Sequence, residues 1–382
     1  MRIVRKLLGG ALVACGLAAP IWTAAGTAKA NSENTVYSFS GGEDGAYPQS
    51  TLVIDKSGNL YGTTPSGGTA GDGVIFKLTP DGHETVLHSF AGGADGLRPM
   101  GGLVAGPDGN FYGATYQGGA GDYGTIFRVT PRGKEKVLYA LRGGKHGEEP
   151  QGRLVADPKG NLYGTAFGGI KNAGIVFKVT SRGRFTVLHA FGRGADGAEP
   201  APDLACDSNG NVYGTTLQYG DGYGTVFRIS PSGAETVLYS FKGGSDGFLA
   251  LGALALDSKG KLYGTTSSGG GSGNGTIFKL SQTGRKITLY SFNADAVGDR
   301  PSNGLILDTK GNFYGTTTDG GEGGLGTVFK LTPKGELSVL YAFFGGDGTP
   351  SDEVSMDGAG NLYGTTANGG SANAGTVFEV TN

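Results

Sequence analysis

Only two cysteines, one tryptophan, three methionines and four histidines occur in 382 residues. Two thiols, Cys15 and Cys206, cannot build a disulfide scaffold or a Cys/His metal cluster. No Walker loop is present, so nucleotide chemistry of that type has no motif to rest on. Charged residues make up 17% of the chain, and the basic ones are scattered. That argues against a nucleic-acid partner, because phosphate binding needs grouped Lys and Arg. Beyond the amino end there is no apolar run of membrane-spanning length.

The amino end reads as an export signal. A basic start (Arg2, Arg5, Lys6) leads into an apolar stretch, residues 7–22, and then Ala28-Lys29-Ala30, a small-x-small cleavage pattern. Residues 1–30 are therefore expected to be a cleaved signal peptide of a secreted or periplasmic protein. The alternative is a lipoprotein anchored through Cys15, after Leu12-Val13-Ala14. Cleavage after Ala30 removes four basic residues and no acid, so the net charge moves from -2 to -6. Cys206 then remains as the sole cysteine, and a buried, inert thiol is expected for it.

What the chain has in excess is glycine, 77 residues. Gly costs about 1 kcal/mol per interior helix position, so long helices are disfavoured. The triplet Tyr-Gly-Thr, or once Tyr-Gly-Ala, recurs at Tyr61, Tyr112, Tyr163, Tyr213, Tyr263, Tyr314 and Tyr363. Seven units of about fifty residues fill residues 31–382 as one domain. Each unit carries four short runs rich in Val, Ile, Phe, Tyr and Thr. In the second unit they are Gly102–Ala105, Asn110–Thr115, Thr125–Thr130 and Lys136–Leu141. Asp-x-x-Gly linkers and Pro-x-Gly turns join them as tight hairpins. Four antiparallel strands per unit, seven times over, predict an all-β, seven-bladed β-propeller. A solenoid is disfavoured by the chain ends. A lone fourth-type strand, Thr35–Phe39, opens the domain and a third-type strand, Gly375–Thr381, ends it. The first is expected to complete the last blade, which removes two open sheet edges.

The connection pattern gathers the longer loops on one face. There the linkers carry Gly-Gly-x-Asp-Gly, with Asp44, Asp95, Asp196, Asp246 and Asp347. His146 replaces Asp in one copy, and another is rebuilt around Asp295 and Asp299. These carboxylates read first as turn caps. The sharper reading is a Ca²⁺ site near the pore, since flexible Asp/Gly loops suit that ion, although no complete calcium-loop spacing is present. The hairpin Asp residues of the opposite face, such as Asp55 and Asp157, read as turn residues. His88 and His189 fill a slot held by Tyr elsewhere and read as packing variants. His146 with Glu148 and Glu149 offers acid/base groups on the loop-rich face. The second-to-third loops of units two to four carry Tyr116, Gln117, Tyr123, Phe167, Gln218, Tyr219 and Tyr223. Aromatic faces mixed with amides suit a carbohydrate or peptide ligand.

The unit G-L-x-x-D-x-x-G-N-L-Y-G-T-T…G-T-V-F-K-L-T-P-x-G…V-L-Y-S-F-x-G-G-x-D-G resembles the GloVer tandem repeat of choice-of-anchor bacterial exported proteins, over residues 35–382. The resemblance implies an extracytoplasmic repeat protein and no settled activity, so no catalytic residue is carried over. The hairpin spacing is also similar to NHL-type and streptogramin-lyase-like propellers, but the His and acid arrangement of those lyases has no match here. A monomeric, exported binding or scaffolding protein is the preferred reading. The alternatives are a lyase or hydrolase acting on polysaccharide or lactone at the pore mouth, and a structural surface or matrix component.

Overall fold

Each Tyr-Gly-Thr run and each Gly-Thr-Val-Phe run is β-branched, aromatic and bounded by turn residues, and each forms a five- to seven-residue strand. The computed structural model describes residues 33–293 and 296–381. The expected signal at 1–30, the alternative lipid site at Cys15, and Asp295 lie outside the described residues. Blade 1 consists of Val53–Ile54, Leu60–Thr64, Val74–Leu78 and Glu84–Ser89, hydrogen-bonded in that order from the axis outward. Six further sheets repeat this antiparallel order. In blade 4 an added strand, Ala198–Pro200, pairs with Val212–Gln218. No helix among the described residues is long and apolar enough to cross a membrane.

The ring closes as expected. Glu33–Ser38 pairs antiparallel with Thr376–Val380, with Thr35 opposite Phe378, and supplies the outermost strand of blade 7. The innermost strands are shorter than the sequence implies. Gly102–Ala105 contracts to Val104–Ala105. The reason is crowding at the axis: a Cβ on Gly101 would collide with the backbone of Gly152, and Gly102 sits at φ +70°. Neighbouring chains approach too closely there for a longer paired strand.

The core lies between blades. At six of the seven interfaces the Phe that follows the outer strand meets the third-strand Phe of the next blade, as in Phe39–Phe76 at 5.2 Å and Phe343–Phe378 at 5.0 Å between ring centroids, while Leu141 takes that place after blade 2. Both rings of each pair are essentially fully buried. Such burial contributes about 1.5–3 kcal/mol per side chain, and the edge-to-face geometry a little more. Gly62 and its counterparts are required because the third-strand Phe ring occupies the space of a Cβ.

The hairpins explain the Asp–Tyr repeat. Asp55 accepts hydrogen bonds from the Ser57 and Asn59 amides at 2.8 and 3.0 Å, from Asn59 Nδ2 at 2.8 Å and from the Tyr61 hydroxyl at 3.0 Å. Burial pushes its carboxyl up, but these donors outweigh burial and hold it below the usual range. In four blades the residue after the third-strand Phe is a Lys that lies along the facing Tyr ring, as Lys178 does on Tyr163 at 5.4 Å.

Candidate functional site

The segment entering each innermost strand runs from the loop-rich face toward the axis. One residue in each segment directly precedes the buried aliphatic Leu52, Leu103, Leu154, Leu204, Leu254, Leu305 or Val354. In chain order these residues are Thr51, Gly102, Arg153, Asp203, Ala253, Gly304 and Glu353. Four are small or neutral and three are charged. Together with the neighbouring Asp352 they form the polar centre of the ring. A cavity of about 320 Å³ opens above them, lined among others by Gln49, Gln151, Ser302, Asn303 and Ser351.

Arg153 Nη2 donates to Glu353 Oε2 at 2.9 Å, and the Arg153 amide donates to Asp203 Oδ1 at 2.7 Å. Asp352 accepts from the Thr51 amide at 2.8 Å and from the Glu353 amide at 2.7 Å. The Glu353 side chain is 8% exposed and that of Arg153 26%. Burial, reinforced by Asp203, pushes the Asp352 carboxyl up to about 7, against the opposing pull of the Glu353 amide and Arg153. Burial also raises Asp203 and Glu353, with Arg153 acting against it. Three acids share one guanidinium in a partly dehydrated space. Below them lies a second cavity of about 330 Å³, with Thr51, Ser355 and Glu353 in its wall beside Leu52, Val354 and Met356. Arg153 lines both cavities and its partner Glu353 lines the lower one, so the ion pair sits where the two cavities meet.

The loop residues singled out in the sequence stand away from this centre, on the rim of blades 2 to 4. The lining of the central cavity contains none of them. The Tyr116 hydroxyl donates to Glu149 Oε2 at 2.6 Å, and the Arg98 guanidinium lies 5.5 Å from its ring centroid. Tyr123 covers Gly143, while Tyr223 covers Gly243 and lies 5.5 Å from Phe248. Gln117 pairs through its backbone with Leu97, and Gln218 Nε2 donates to Glu199 Oε2 at 2.8 Å. Phe167 and Tyr219 are partly exposed, Tyr219 at φ +64°. They form separate patches, one per blade.

The linker aspartates are not gathered at the pore. Each is held in its own turn and faces an outer strand. Asp44 accepts from the Ser40 amide at 2.7 Å and the Tyr37 hydroxyl at 3.0 Å. Asp347 accepts from the Phe344 amide at 3.0 Å and the Tyr341 hydroxyl at 2.7 Å. Asp95 binds the Ala91 amide and His88, and Asp196 binds the Gly192 amide beside His189. Asp246 binds the Lys242 amide, Tyr239 and Lys286. Cys206 is half-buried rather than fully buried, because its two-residue inner strand leaves one side open. Burial still pushes its thiol up to about 12, which keeps it unreactive.

The four central charges escaped the sequence reading. The available signal was the slot before each inner-strand aliphatic residue, where Arg153, Asp203 and Glu353 replace small or neutral residues.

Fold and centre together define a seven-bladed propeller with a polar, ion-paired channel. The chain belongs to the Gloeobacter/Verrucomicrobia repeat family, whose model matches residues 25–223 and 206–382. Among solved structures it is similar to virginiamycin B lyase from Staphylococcus aureus, with a TM-score of 0.62 and 15% identity over 92% of this chain and 99% of that one. The extracellular domain of a one-component system from B. thetaiotaomicron matches at TM-score 0.56 and 11% identity, over 91% of this chain and 40% of that one. A protein described as a candidate 6-phosphogluconolactonase from Bacteroides uniformis matches at TM-score 0.53 and 16% identity, over 80% and 88% of the two chains. At these identities the likeness concerns the fold alone. No curated protein matches the sequence.

Proposed function

We propose that this protein is an exported binding protein that takes a small, hydroxyl-rich ligand of carbohydrate type at the mouth of its central channel. The observation that carries the reading is the cavity of about 320 Å³ above Arg153, Asp203 and Asp352, whose wall sets the amides and hydroxyls of Gln49, Gln151, Asn303 and Ser351 among apolar groups such as Met100 and Leu251. Fixed donors and acceptors of both kinds suit sugar hydroxyls, and the volume suits one or two rings. The rim aromatics Tyr219 and Phe167 would extend the contact to a longer chain. Titration calorimetry of the mature chain against neutral, amino and acidic mono- and oligosaccharides, with short peptides alongside, tests it. Saccharide binding lost in Asp203→Asn supports the reading. Binding of peptides alone, or of nothing, overturns it. Export is tested by expressing the full chain and sequencing the amino terminus of the released protein, which should begin at Asn31.

A second reading rests on Asp352. A carboxyl pushed up to about 7 is suited to exchange a proton near neutral pH. The comparison with a lyase and with a candidate lactonase keeps catalysis on polysaccharide or lactone in view. Turnover of such a substrate that disappears in Asp352→Asn would replace the binding reading.

A further inference from the structure

The interfaces between blades repeat one small cradle near the outer rim. Its parts are a linker Asp, the Tyr or His of the preceding outer strand, and the first residue of the next outer strand. Between blades 4 and 5 that first residue is Lys286, and its ammonium fills the cradle. Lys286 Nζ donates to Asp246 Oδ1 at 2.8 Å and to the Asp246 carbonyl at 2.6 Å. It also lies 5.7, 5.7 and 5.5 Å from the ring centroids of Tyr239, Phe241 and Phe278. Its side chain is only 4% exposed. The cradle is thus built to hold a cation in a nearly dry space.

Between blades 1 and 2 the same position is Glu135. Glu135 pairs in register with Val129 as Lys286 pairs with Leu280, so the two side chains enter equivalent cradles with opposite charge. Glu135 Oε1 is shielded from solvent and has no hydrogen-bond partner. His88 Nε2 stands 3.1 Å from both Asp95 oxygens. Ligand atoms of His88, Asp95 and Glu135 all lie within 4.8 Å of one another. Between blades 3 and 4 the same positions hold His189, Asp196 and Glu235; there His189 Nε2 stands 3.5 Å from Asp196 Oδ2, and Glu235 Oε1 is shielded and without a hydrogen bond. The slot filled by Tyr elsewhere therefore holds a nitrogen donor at two interfaces, each facing two carboxylates.

We propose that the interface of blades 1 and 2 binds a divalent first-row metal ion through His88, Asp95 and Glu135, in place of the ammonium that Lys286 supplies between blades 4 and 5. One imidazole and two carboxylates suit Zn²⁺ or Mn²⁺ better than Ca²⁺, which prefers six to eight oxygens. His88 and Asp95 are about a quarter exposed, so an ion has a path in and room for water as a remaining ligand. His189, Asp196 and Glu235 hold the equivalent positions between blades 3 and 4, but only the His88 trio brings its ligand atoms within 4.8 Å of one another among the described residues. Both trios sit on the rim and are independent of the channel mouth.

Zn²⁺ is the probe, in a His189→Tyr background that leaves one imidazole-bearing trio. Calorimetry at pH 7 should give one equivalent bound, with the thermal midpoint rising by about 2 °C or more at saturation. Glu135→Lys should abolish both effects. Without metal it should melt at or above its parent, because the new ammonium occupies the cradle as Lys286 does. His88→Tyr, which restores the residue of the other blades, should keep the fold and lose the Zn²⁺ equivalent. No Zn²⁺ response in the parent, or an undiminished response in His88→Tyr, overturns the proposal.

Discussion

Arg153 of blade 3 and Glu353 of blade 7 meet across the axis of the ring, Nη2 to Oε2 at 2.9 Å. Two blades that share no interface are thereby joined through the centre. The pair is mostly shielded from water, so removing one partner leaves the other charge buried. Arg153→Ala and Glu353→Gln should each lower unfolding stability by about 2–3 kcal/mol, read by chemical denaturation. The value sits below the usual 3–5 kcal/mol because Arg153 keeps some solvent contact. A paired Arg153→Met, Glu353→Leu change should recover most of the loss. Singles with no effect would show that the pair contributes nothing.

The pH dependence follows from the carboxyls at the blade interfaces. Burial, with Asp44 and Asp95 adding repulsion, pushes Glu84 and Glu135 up to about 7. Burial with Asp196 takes Glu235 to about 6. A carboxyl that holds its proton more tightly when folded favours the folded state below its unfolded value near 4.5. That contribution is lost as pH rises through its folded value. The metal-free thermal midpoint should therefore fall between pH 5 and pH 8, and the triple change of these residues to Gln should flatten the slope. Below pH 4 the order reverses. Asp55, Asp157 and Asp308, held below the usual range by their turn donors against the push of burial, then lose their charge and stability drops.

Deleting residues 31–38 should uncover the edge of Thr376–Val380, whose partner they are. An unpaired edge of Val, Phe and Val is a template for association. Light scattering should show aggregation of the truncated chain under conditions where the intact chain stays monodisperse.

The rim tyrosines should separate by role. Tyr223 packs on Gly243 and Phe248, so Tyr223→Ala should lower the thermal midpoint by a few degrees, the effect of about 1 kcal/mol. Tyr219 is 39% exposed, and Tyr219→Ala should leave the midpoint unchanged. If Tyr219 extends the saccharide site, the same change should weaken binding of longer chains and spare single sugars.

The repeat made the architecture readable from residues alone. Tyr61 and its six counterparts set the blade count, and the unmatched strands at the two ends announced the closure. The Asp55 type of turn was legible because its donors lie within six residues. The channel centre was not, because Arg153 and Glu353 stand 200 positions apart and local spacing carries no trace of which blades face each other. On the rim the aromatic residues were legible, but the partners of Tyr116 and Tyr123 were not. An aromatic residue on a glycine-rich loop looks unsupported until the glycine beneath it, such as Gly143 under Tyr123, is seen. The linker aspartates looked like a ring for the same reason. Each repeats in sequence, but its partner is a strand of its own interface.

The closure also dictates an order of events. Glu33–Ser38 is among the first parts of the domain to emerge during synthesis, and its partner, Thr376–Val380, is the last strand. The opening strand must wait, unpaired, while every blade between is made. The ring can lock only once Thr376–Val380 has been made. Contacts of such long sequence separation are slow to form, and a waiting apolar strand is exposed to wrong partners meanwhile. A chain cut short before Thr376 has no place for its own beginning, so truncation at the carboxyl end should be as damaging as truncation at the amino end.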